Sequence, residues 1–257
     1  MANERFDLSG RVVIITGGGK GIGKVYSNEF ANAGARVVAA DIDGEAAEAV
    51  AAAITARGGE ALGLRVDISD PASCEAMAAA VLDRFGTIDA LVNNAALMST
   101  LARRSWFEIP VEEWDSVMAV NLRGMFLCCR AVYPTMRESG YGKIVNISSS
   151  RIWEGSPNRL HYTTSKAGVV GFTRAIAREV GEFGITVNAI TPGFTLSETQ
   201  LQSSDTSYVK QRSYAEQAIK RPQVPDDLVG AVMFFASPAS DFISGQTLNV
   251  DGGKAMH

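Results

Sequence analysis

The sequence predicts an α/β fold in which one domain, residues 1–257, forms a doubly wound parallel sheet with helices on both faces. Short apolar runs rich in β-branched residues alternate with longer helical patterns, and the runs lack the apolar–polar alternation of a half-exposed sheet. A length of 257 residues with 46% hydrophobic content is enough for a large core. The predicted strands are residues 12–15, 36–40, 90–92, 143–145, 185–187 and 247–250.

The segments between these strands carry helix signals. Residues 45–56 are rich in alanine, which has the highest helix propensity. Ser69-Asp70-Pro71 places a capping side chain directly before a proline, as at the start of a helix. Residues 167–180 also have a helical pattern. Residues 197–223 have no clear periodicity, and we expect either a substrate lid beside an active site or a plain surface loop there.

Composition and charge exclude several functions. The net charge is −4, and the 24 basic residues form no stripe that could neutralise a phosphate backbone, so we expect no nucleic-acid partner. The first ten residues lack an apolar signal core, and no stretch reaches the roughly 18 apolar residues of a membrane span. We therefore expect a cytoplasmic protein that has no membrane partner. Cys74, Cys128 and Cys129 show no ligand spacing, which predicts buried thiols and neither a metal site nor a disulfide framework.

A glycine-rich turn follows the first predicted strand, Thr16-Gly17-Gly18-Gly19-Lys20-Gly21-Ile22-Gly23. Glycine permits a tight turn, and it lets a pyrophosphate approach the backbone N–H groups at a helix N-terminus. The spacing of Gly17, Gly21 and Gly23 differs from the six-position dinucleotide fingerprint, and an ordinary strand-to-helix turn is the alternative. Its place between the first strand and the first helix favours a dinucleotide site.

A carboxylate at the end of the second strand addresses the choice of cofactor. Asp41 could accept hydrogen bonds from a ribose diol and would repel a 2′-phosphate, which favours NAD over NADP. Lys20 points to the opposite choice, because an ammonium group could bind that phosphate. We give Asp41 the greater weight and predict NAD. Asp43 is interpreted as a solvated turn residue.

Candidate reacting groups occur in two segments. Tyr162 and Lys166 are four residues apart, so a helix places them on one face. For tyrosine to act as a base near neutral pH, its pKa of about 10 must fall by about three units, a stabilisation of roughly 4 kcal/mol that Lys166 and an oxidised nicotinamide could supply. Such a pair is common by itself. Ser148, Ser149 and Ser150 end another predicted strand, where a hydroxyl could bind a substrate oxygen or form a turn or cap.

These motifs resemble the short-chain dehydrogenase/reductase family over nearly the whole chain. The order and spacing of the glycine turn, Asn93-Asn94-Ala95-Ala96, Asn121, the serine cluster, the Tyr162/Lys166 pair and Pro192-Gly193 carry the resemblance. It implies a Rossmann-type oxidoreductase that transfers a hydride between NAD(H) and a small secondary alcohol or ketone. Ala96 departs from the glycine that is usual in the family at that position.

The resemblance also implies catalytic roles. Ser149, thirteen residues before Tyr162, would orient the substrate, with Ser148 as a more structural neighbour. Tyr162 would be the general base or acid, and Lys166 would lower its pKa and bind the ribose. Asn121 would hold a water that relays the proton from Lys166 to solvent, or alternatively would satisfy backbone groups inside a helix.

Cofactor contacts follow from the glycine turn and the resemblance together. Asp67 and Ile68 would contact the adenine, Asn93 would line the cleft, and residues 192–195 would lie over the nicotinamide. The predicted cofactor-binding residues are Gly17, Lys20, Gly21, Ile22, Gly23, Asp41, Ile42, Asp67, Ile68, Asn93, Ala95, Tyr162, Lys166, Pro192, Gly193 and Thr195.

Several alternatives remain at this point. Apolar residues near the catalytic positions favour a cyclic or aromatic secondary alcohol, although each could be ordinary packing. An NADPH-dependent 3-oxoacyl-carrier-protein reductase would have a similar sequence, whereas a nucleotide-sugar epimerase or dehydratase needs a larger C-terminal region. A catalytically silent dinucleotide sensor or scaffold would not need the four catalytic residues. The C-terminal stretch 244–253 resembles that of family members that form homotetramers. The apolar residues are Leu97, Met98, Ile152, Trp153, Tyr208 and Tyr214.

Overall fold

The computed structural model describes residues 4–198 and 214–256 of the chain. Its centre is a seven-stranded sheet with the order β3-β2-β1-β4-β5-β6-β7, in which every neighbouring pair is parallel. This confirms the predicted doubly wound α/β fold. The strands are β1 (Val12–Thr16), β2 (Arg36–Asp41), β3 (Ala61–Arg65), β4 (Ala90–Asn93), β5 (Gly142–Ile147), β6 (Ile185–Pro192) and β7 (Thr247–Val250).

Helices connect the strands and cover both faces of the sheet. A π-helical turn, Ala119–Gly124, joins α4 to α5 without a break. The helices are α1 (Gly21–Asn32), α2 (Gly44–Ala56), α3 (Pro71–Phe85), α4 (Val111–Met118), α5 (Met125–Ser139), α6 (Arg151–Glu154), α7 (Leu160–Val180) and α8 (Asp226–Ala236). Among the described residues, no helix is both long enough and apolar enough to cross a membrane.

The core consists of two apolar layers, one on each face of the sheet. Val12 and Ile14 of β1 pack toward α3, α5 and α7, whereas Val13 and Ile15 pack toward α1, α2 and α8. All four side chains are fully buried, and burying a side chain of this size contributes about 1.5–3 kcal/mol. Coverage on both faces explains why the strand sequence shows no polar alternation.

Two helices begin at the side chains of aspartates. The Asp70 carboxylate accepts a hydrogen bond from the amide of Ala72, and Pro71 is the first residue of α3, as the capping pattern predicts. Asp43 caps α2 in the same way, by accepting from the amide of Ala46. Asp43 is partly exposed in the turn before α2, as interpreted from the sequence, and in addition its carboxylate caps the helix.

Strand β3, Ala61–Arg65, was not predicted from the sequence. Its sequence, ALGLR, contains a central glycine and no β-branched residue, so it lacks the signal of the other strands. A Cβ atom on Gly63 would lie 2.6 Å from the Cα atom of Glu48 in α2. The glycine is needed because α2 packs directly on this edge strand. This contact joins separate parts of the chain, so the local sequence does not predict it.

The active-site edge of the sheet follows from the strand order. β1 lies beside both β2 and β4, so the chain changes direction across the sheet at the β1–β4 pair. Ligands of open α/β sheets bind outside the carboxyl ends of the strands at this switch point. The glycine turn follows β1, and the serine cluster follows β5 at the same edge. Most of the predicted lid, 197–223, and Tyr208 within it lie outside the described residues.

Candidate active site

A cleft at the carboxyl edge of the sheet contains most of the predicted site residues. It extends from the glycine turn to the serine cluster and to the first turns of α7. Asp41, Ile42, Asp67, Ile68, Asn93 and Asn121 lie outside its lining. The predicted residues that line the cleft are Gly17, Lys20, Gly21, Ile22, Gly23, Ala95, Ser149, Tyr162, Lys166, Pro192, Gly193 and Thr195.

The glycine turn fits the pyrophosphate of a dinucleotide. Gly17 and Gly21 have φ values of 64° and 52°, which side-chain-bearing residues rarely adopt. A Cβ atom on Gly23 would overlap the carbonyl oxygen of Gly17. Helix α1 has no side-chain cap and no acidic residue in its first turn. Its positive end is therefore open to an anion in the cleft.

Asp41 is held rigidly at the end of β2. One carboxylate oxygen accepts a hydrogen bond from the amide of Gly19 at 3.0 Å, and the other accepts from the amide of Asp43 at 3.0 Å. Both bonds fix the carboxylate against the glycine turn. Ile42 follows with its side chain 56% exposed, which leaves an apolar surface beside the carboxylate.

Lys20 forms an ion pair with Asp43. Its Nζ atom lies 2.5 Å from the Asp43 carboxylate. The hydrogen bond between the two groups raises the pKa of Lys20 and lowers the pKa of Asp43. Both side chains are partly exposed, so this pair is weak, and it reduces without removing the indication of a 2′-phosphate site that Lys20 gives.

Asp67, Ile68 and Asn93 form contacts within the protein. The carboxylate of Asp67 accepts from the amide and the hydroxyl of Ser69, which lowers the pKa of Asp67. Ile68 is buried in the apolar layer of α3 and α5. The amide of Asn93 donates to Asn146 Oδ1 at 2.9 Å in the interior. Each of these residues stands next to the site, and none of them lines the cleft.

Asn94 is a functional residue that sequence reasoning missed. Its side-chain amide donates to the carbonyl oxygens of Thr16 and Gly17, and its backbone amide donates to Thr16 Oγ1. It also lines the cleft. Asn94 therefore ties the end of β4 to the glycine turn. The available signal was the second asparagine of the Asn93-Asn94 pair.

Tyr162 lies in the first turn of α7 and is only 7% exposed. Leu97, Met98 and Leu101 pack in the same apolar cluster. Burial raises the pKa of Tyr162, while a hydrogen bond with Ser149 and the positive charges of two arginines lower it. The phenol is thus placed where neighbouring donors and cations determine whether it can lose its proton.

Lys166 lies one helical turn after Tyr162 and is 3% exposed. Its Nζ atom donates to the carbonyl oxygen of Ile147 at 2.7 Å and lies 5.9 Å from the centre of the Tyr162 ring. Burial lowers the pKa of Lys166 to about 8. Ser148 Oγ donates to the carbonyl oxygen of Lys166, which matches the structural role predicted for that serine.

The side chain of Asn121 joins three segments around the site. Its Oδ1 atom accepts from the amide of Leu97 at 2.7 Å, and its amide group donates to the Leu97 carbonyl and to Ser165 Oγ. Ser165 Oγ in turn donates to the carbonyl oxygen of Tyr162. Both amide protons of Asn121 are used, so the geometry favours the alternative in which this residue satisfies backbone groups. The π-helical turn orients it toward Leu97.

Two arginines beside the catalytic residues were also missed. Arg151 lines the cleft, and the positive charges of Arg151 and Arg159 both lower the pKa of Tyr162. Burial outweighs these charges and raises the pKa of Tyr162 above its ordinary value; the influences that oppose this rise are the Ser149 hydrogen bond and then the two guanidinium groups, whereas Lys166 was expected to oppose it. The signal in the sequence was two basic residues between Ser149 and Tyr162.

The residues predicted to face the substrate divide into three groups. Met98 lines the cleft, and Leu97 packs against Tyr162. Trp153 donates from its indole nitrogen to Thr191 Oγ1 at 3.3 Å. Ile152 and Tyr214 do not line the cleft, and Tyr208 lies outside the described residues.

A parallel sheet of this strand order, with a glycine turn and a buried tyrosine–lysine pair at one cleft, is the architecture of Rossmann-type oxidoreductases. Comparisons with known proteins make this more specific. Residues 17–255 match the family model described as enoyl-(acyl carrier protein) reductase.

Relatives with similar sequences cover almost the whole chain. The BbsD subunit of (2S)-[(R)-hydroxy(phenyl)methyl]succinyl-CoA dehydrogenase from Thauera aromatica is 40% identical, over 97% of this chain and 98% of its own. A 3-oxoacyl-[acyl-carrier-protein] reductase from Synechocystis sp. is 36% identical, over 97% of this chain and 98% of its own. The crystal structure of levodione reductase has a TM-score of 0.90 at 34% identity, covering 96% of this chain and 98% of its own.

The chain belongs to the short-chain dehydrogenase/reductase family. Members of this family use nicotinamide dinucleotide cofactors, and this protein is an oxidoreductase that acts on alcohol or ketone groups.

Proposed function

We propose that this protein oxidises a secondary alcohol to a ketone with NAD, and reduces the ketone in the reverse direction, with Tyr162 as the proton-transferring residue. The observation that carries the proposal is that Ser149, Tyr162 and Lys166 line the same cleft as the glycine turn. A silent nucleotide sensor would have no need for these three side chains in that cleft. A cytoplasmic homotetramer and a lid over 197–223 remain predictions from the sequence.

NAD is favoured over NADP by the charges at the end of β2. The Asp41 carboxylate accepts hydrogen bonds from two backbone amides, which fix its charge at the end of β2. It would accept hydrogen bonds from the ribose diol and repel a 2′-phosphate. Lys20, the cation that would favour the phosphate, is paired with Asp43.

The nicotinamide would be held at the wall formed by Pro192, Gly193 and Thr195, with Lys166 close enough to the cleft to bind the ribose. The chemistry that a bound nicotinamide supplies is uptake or release of a hydride at the carbinol carbon. Ala95 and Ile22 form further parts of the cleft lining.

The protein's own residues would handle the proton and the oxygen. In the oxidation direction, the phenolate of Tyr162 accepts the proton of the substrate hydroxyl, and in the reverse direction the phenol returns it. The Ser149 hydroxyl donates a hydrogen bond to the substrate oxygen, which stabilises the negative charge that develops on it. Asn121 acts as a positioning residue, because it holds Leu97 and also Ser165, which donates to the carbonyl oxygen of Tyr162.

A second candidate function is reduction of a 3-oxoacyl thioester with NADPH. It is favoured by the sequence of the Synechocystis relative, which is named a 3-oxoacyl-[acyl-carrier-protein] reductase and is 36% identical over nearly the whole chain. The substrate in this case is also a ketone, so the same proton-transferring group would serve. The charge of Asp41 disfavours the cofactor.

A substrate and cofactor panel tests the proposal. Secondary alcohols would be offered with NAD or NADP, and acetoacetyl-CoA would be offered with NADH or NADPH, each followed by the absorbance of the reduced nicotinamide. We expect alcohol oxidation that is faster with NAD than with NADP. Turnover of acetoacetyl-CoA with NADPH alone would favour the second candidate. Inactivity in every arm would favour a non-catalytic nucleotide sensor.

A further inference from the structure

A group of arginines without a direct ion pair adjoins the catalytic residues. Arg151 is in α6, two residues after Ser149, and Arg159 directly precedes α7, three residues before Tyr162. Burial lowers the pKa of Arg151 and of Arg159, and the charge of Arg103 lowers both further. Three guanidinium groups thus lie close enough to influence one another.

The nearby carboxylates do not neutralise this group. Glu113 pairs with His161 at 3.1 Å and with Arg104 at 3.4 Å. Glu154 pairs with Lys254 at 2.8 Å and also accepts from Ser150 and Ser156. Within residues 4–198 and 214–256, Arg103, Arg151 and Arg159 form no ion pair with a carboxylate. The charge of Glu154 raises the pKa of Arg151 without a direct ion pair, so the positive charge beside Tyr162 is only partly compensated.

Backbone contacts hold the two inner guanidinium groups in place and leave donors unused. Arg151 donates to the carbonyl oxygens of Ser156 and Pro157, and Arg159 donates to the carbonyl oxygen of Leu101 and to the sulfur of Met98. The Nε–H groups of both arginines are buried and have no hydrogen-bond partner among the described residues. The Nη1 group of Arg151 forms no hydrogen bond with another described residue, so this cation can donate to an anion in the cleft.

The position of Arg151 in the cleft indicates that the anion it binds belongs to the substrate. Arg151 lines the cleft together with Ser149 and Tyr162, the residues expected to contact the reacting oxygen. The glycine turn and the N-terminus of α1 already provide a binding site for the pyrophosphate of a dinucleotide. Arg151 is therefore available to bind the substrate. Leu97 and Met98 give the same region an apolar surface.

We propose that Arg151 binds a carboxylate of the substrate, with the charge of Arg159 adding to the attraction from outside the cleft lining, so that the preferred substrates are hydroxy acids, and the matching oxo acids, with an apolar or aromatic remainder. This inference rests on the proposed function, because it assigns a substrate class to the same cleft. It replaces the neutral cyclic or aromatic alcohol that the apolar residues alone favour.

A matched pair of substrates tests the carboxylate. The probes are 3-hydroxy-3-phenylpropanoate and its methyl ester, which share one carbinol and differ in charge. With the wild-type enzyme and NAD, we expect kcat/KM to be at least tenfold higher for the acid. In R151Q the ratio of acid to ester should fall at least tenfold, mainly through KM for the acid, and in R159Q, which removes a charge outside the cleft lining, it should fall by a smaller factor. R84Q, which removes an exposed arginine on α3, should leave the ratio unchanged.

The ratio separates binding from electrostatics. Loss of either arginine also removes a charge that lowers the pKa of Tyr162, and this loss affects acid and ester alike. An equal loss of turnover for both substrates would therefore overturn the proposal. Equal kcat/KM for acid and ester in the wild-type enzyme would overturn it without any variant.

Calorimetric titration makes the inference independent of turnover. The probes are 3-phenylpropanoate and 3-phenylpropanamide, added to the wild-type enzyme in the presence of NAD. We expect the acid to bind at least tenfold more tightly than the amide, and we expect this difference to disappear in R151Q/R159Q. Equal binding, or no binding of either probe, would overturn the proposal. Preferential binding of the acid with no turnover of any alcohol would instead count against the proposed function.

Discussion

The Asp41 carboxylate accepts hydrogen bonds from the amides of Gly19 and Asp43, so its charge has a fixed position at the end of β2. The place of Asp41 at the end of the second predicted strand was enough to predict this position of the carboxylate from the sequence. The partners of Lys20 and Arg151 could not be predicted in the same way, because the Lys20–Asp43 pair and the arginine group depend on how separate turns meet in space. Asn94 was missed for the same reason.

Asp41→Asn should shift the cofactor preference toward NADP. Asparagine retains an acceptor for one of the two amides and removes the charge that repels a 2′-phosphate. We expect the ratio of kcat/KM for NADP to that for NAD to rise about tenfold, corresponding to ~1.4 kcal/mol of lost repulsion. Steady-state kinetics with both cofactors measure this ratio. An unchanged ratio in a folded variant would show that Asp41 does not face the ribose.

Lys166 provides a pH-dependent test of burial. Its pKa is about 8 in the folded chain and 10.5 in the unfolded chain, so between these values the unfolded state binds more protons and stability rises with pH. The Lys166→Met variant lacks this titrating amino group. The free energy of unfolding of the wild type should therefore rise relative to that of the variant by roughly 2 kcal/mol between about pH 7 and about pH 10.

Urea titrations without added nucleotide measure this difference. Lys24→Met, which removes an exposed lysine, is the control for loss of a surface charge. A constant difference between wild type and Lys166→Met across the pH range would contradict the burial of a charged lysine at this position.

At the scale of elements, six of the seven strands and the cap of α3 could be predicted, because their signals are local in the sequence. β3 could not, because its central Gly63 is required by the approach of α2. The π-helical turn at Ala119–Gly124 also left no recognisable pattern. Its role is seen only in the structure, where it places Asn121 so that the side chain bonds with Leu97 and Ser165.

The role of the glycine turn between β1 and α1 in NAD binding can be tested by a substitution that adds one methyl group. In Gly23→Ala the added Cβ atom would overlap the Gly17 carbonyl oxygen and lie 2.7 Å from Asn94 Nδ2. We expect NAD affinity to fall at least tenfold, because the turn must move away from the pyrophosphate, as measured by calorimetry. Gly230→Ala is the matched control, since nothing lies within 4 Å of its Cβ position in α8. That control should retain affinity and gain about 0.5–1 kcal/mol of stability. Normal NAD binding by Gly23→Ala would contradict the assigned cofactor site.

At the scale of the whole molecule, the strand order brings distant segments to one cleft. The turn after β1, the end of β4, the serine cluster after β5 and the start of α7 meet at the carboxyl edge of the sheet. The two apolar layers hold the helices that present these groups. The glycine turn serves cofactor binding alone and Tyr162 serves proton transfer, so a variant at one of these positions can remove one function without the other.

Tyr162→Phe tests the central claim most directly. The substitution removes only the phenol oxygen from a side chain that remains packed against Leu97 and Met98, so the fold should be retained. NAD affinity, measured by calorimetry, should stay within about threefold of the wild type, while kcat for alcohol oxidation should fall by at least ~10²-fold. Retention of most of the wild-type turnover with intact NAD binding would show that Tyr162 is not the residue that moves the proton.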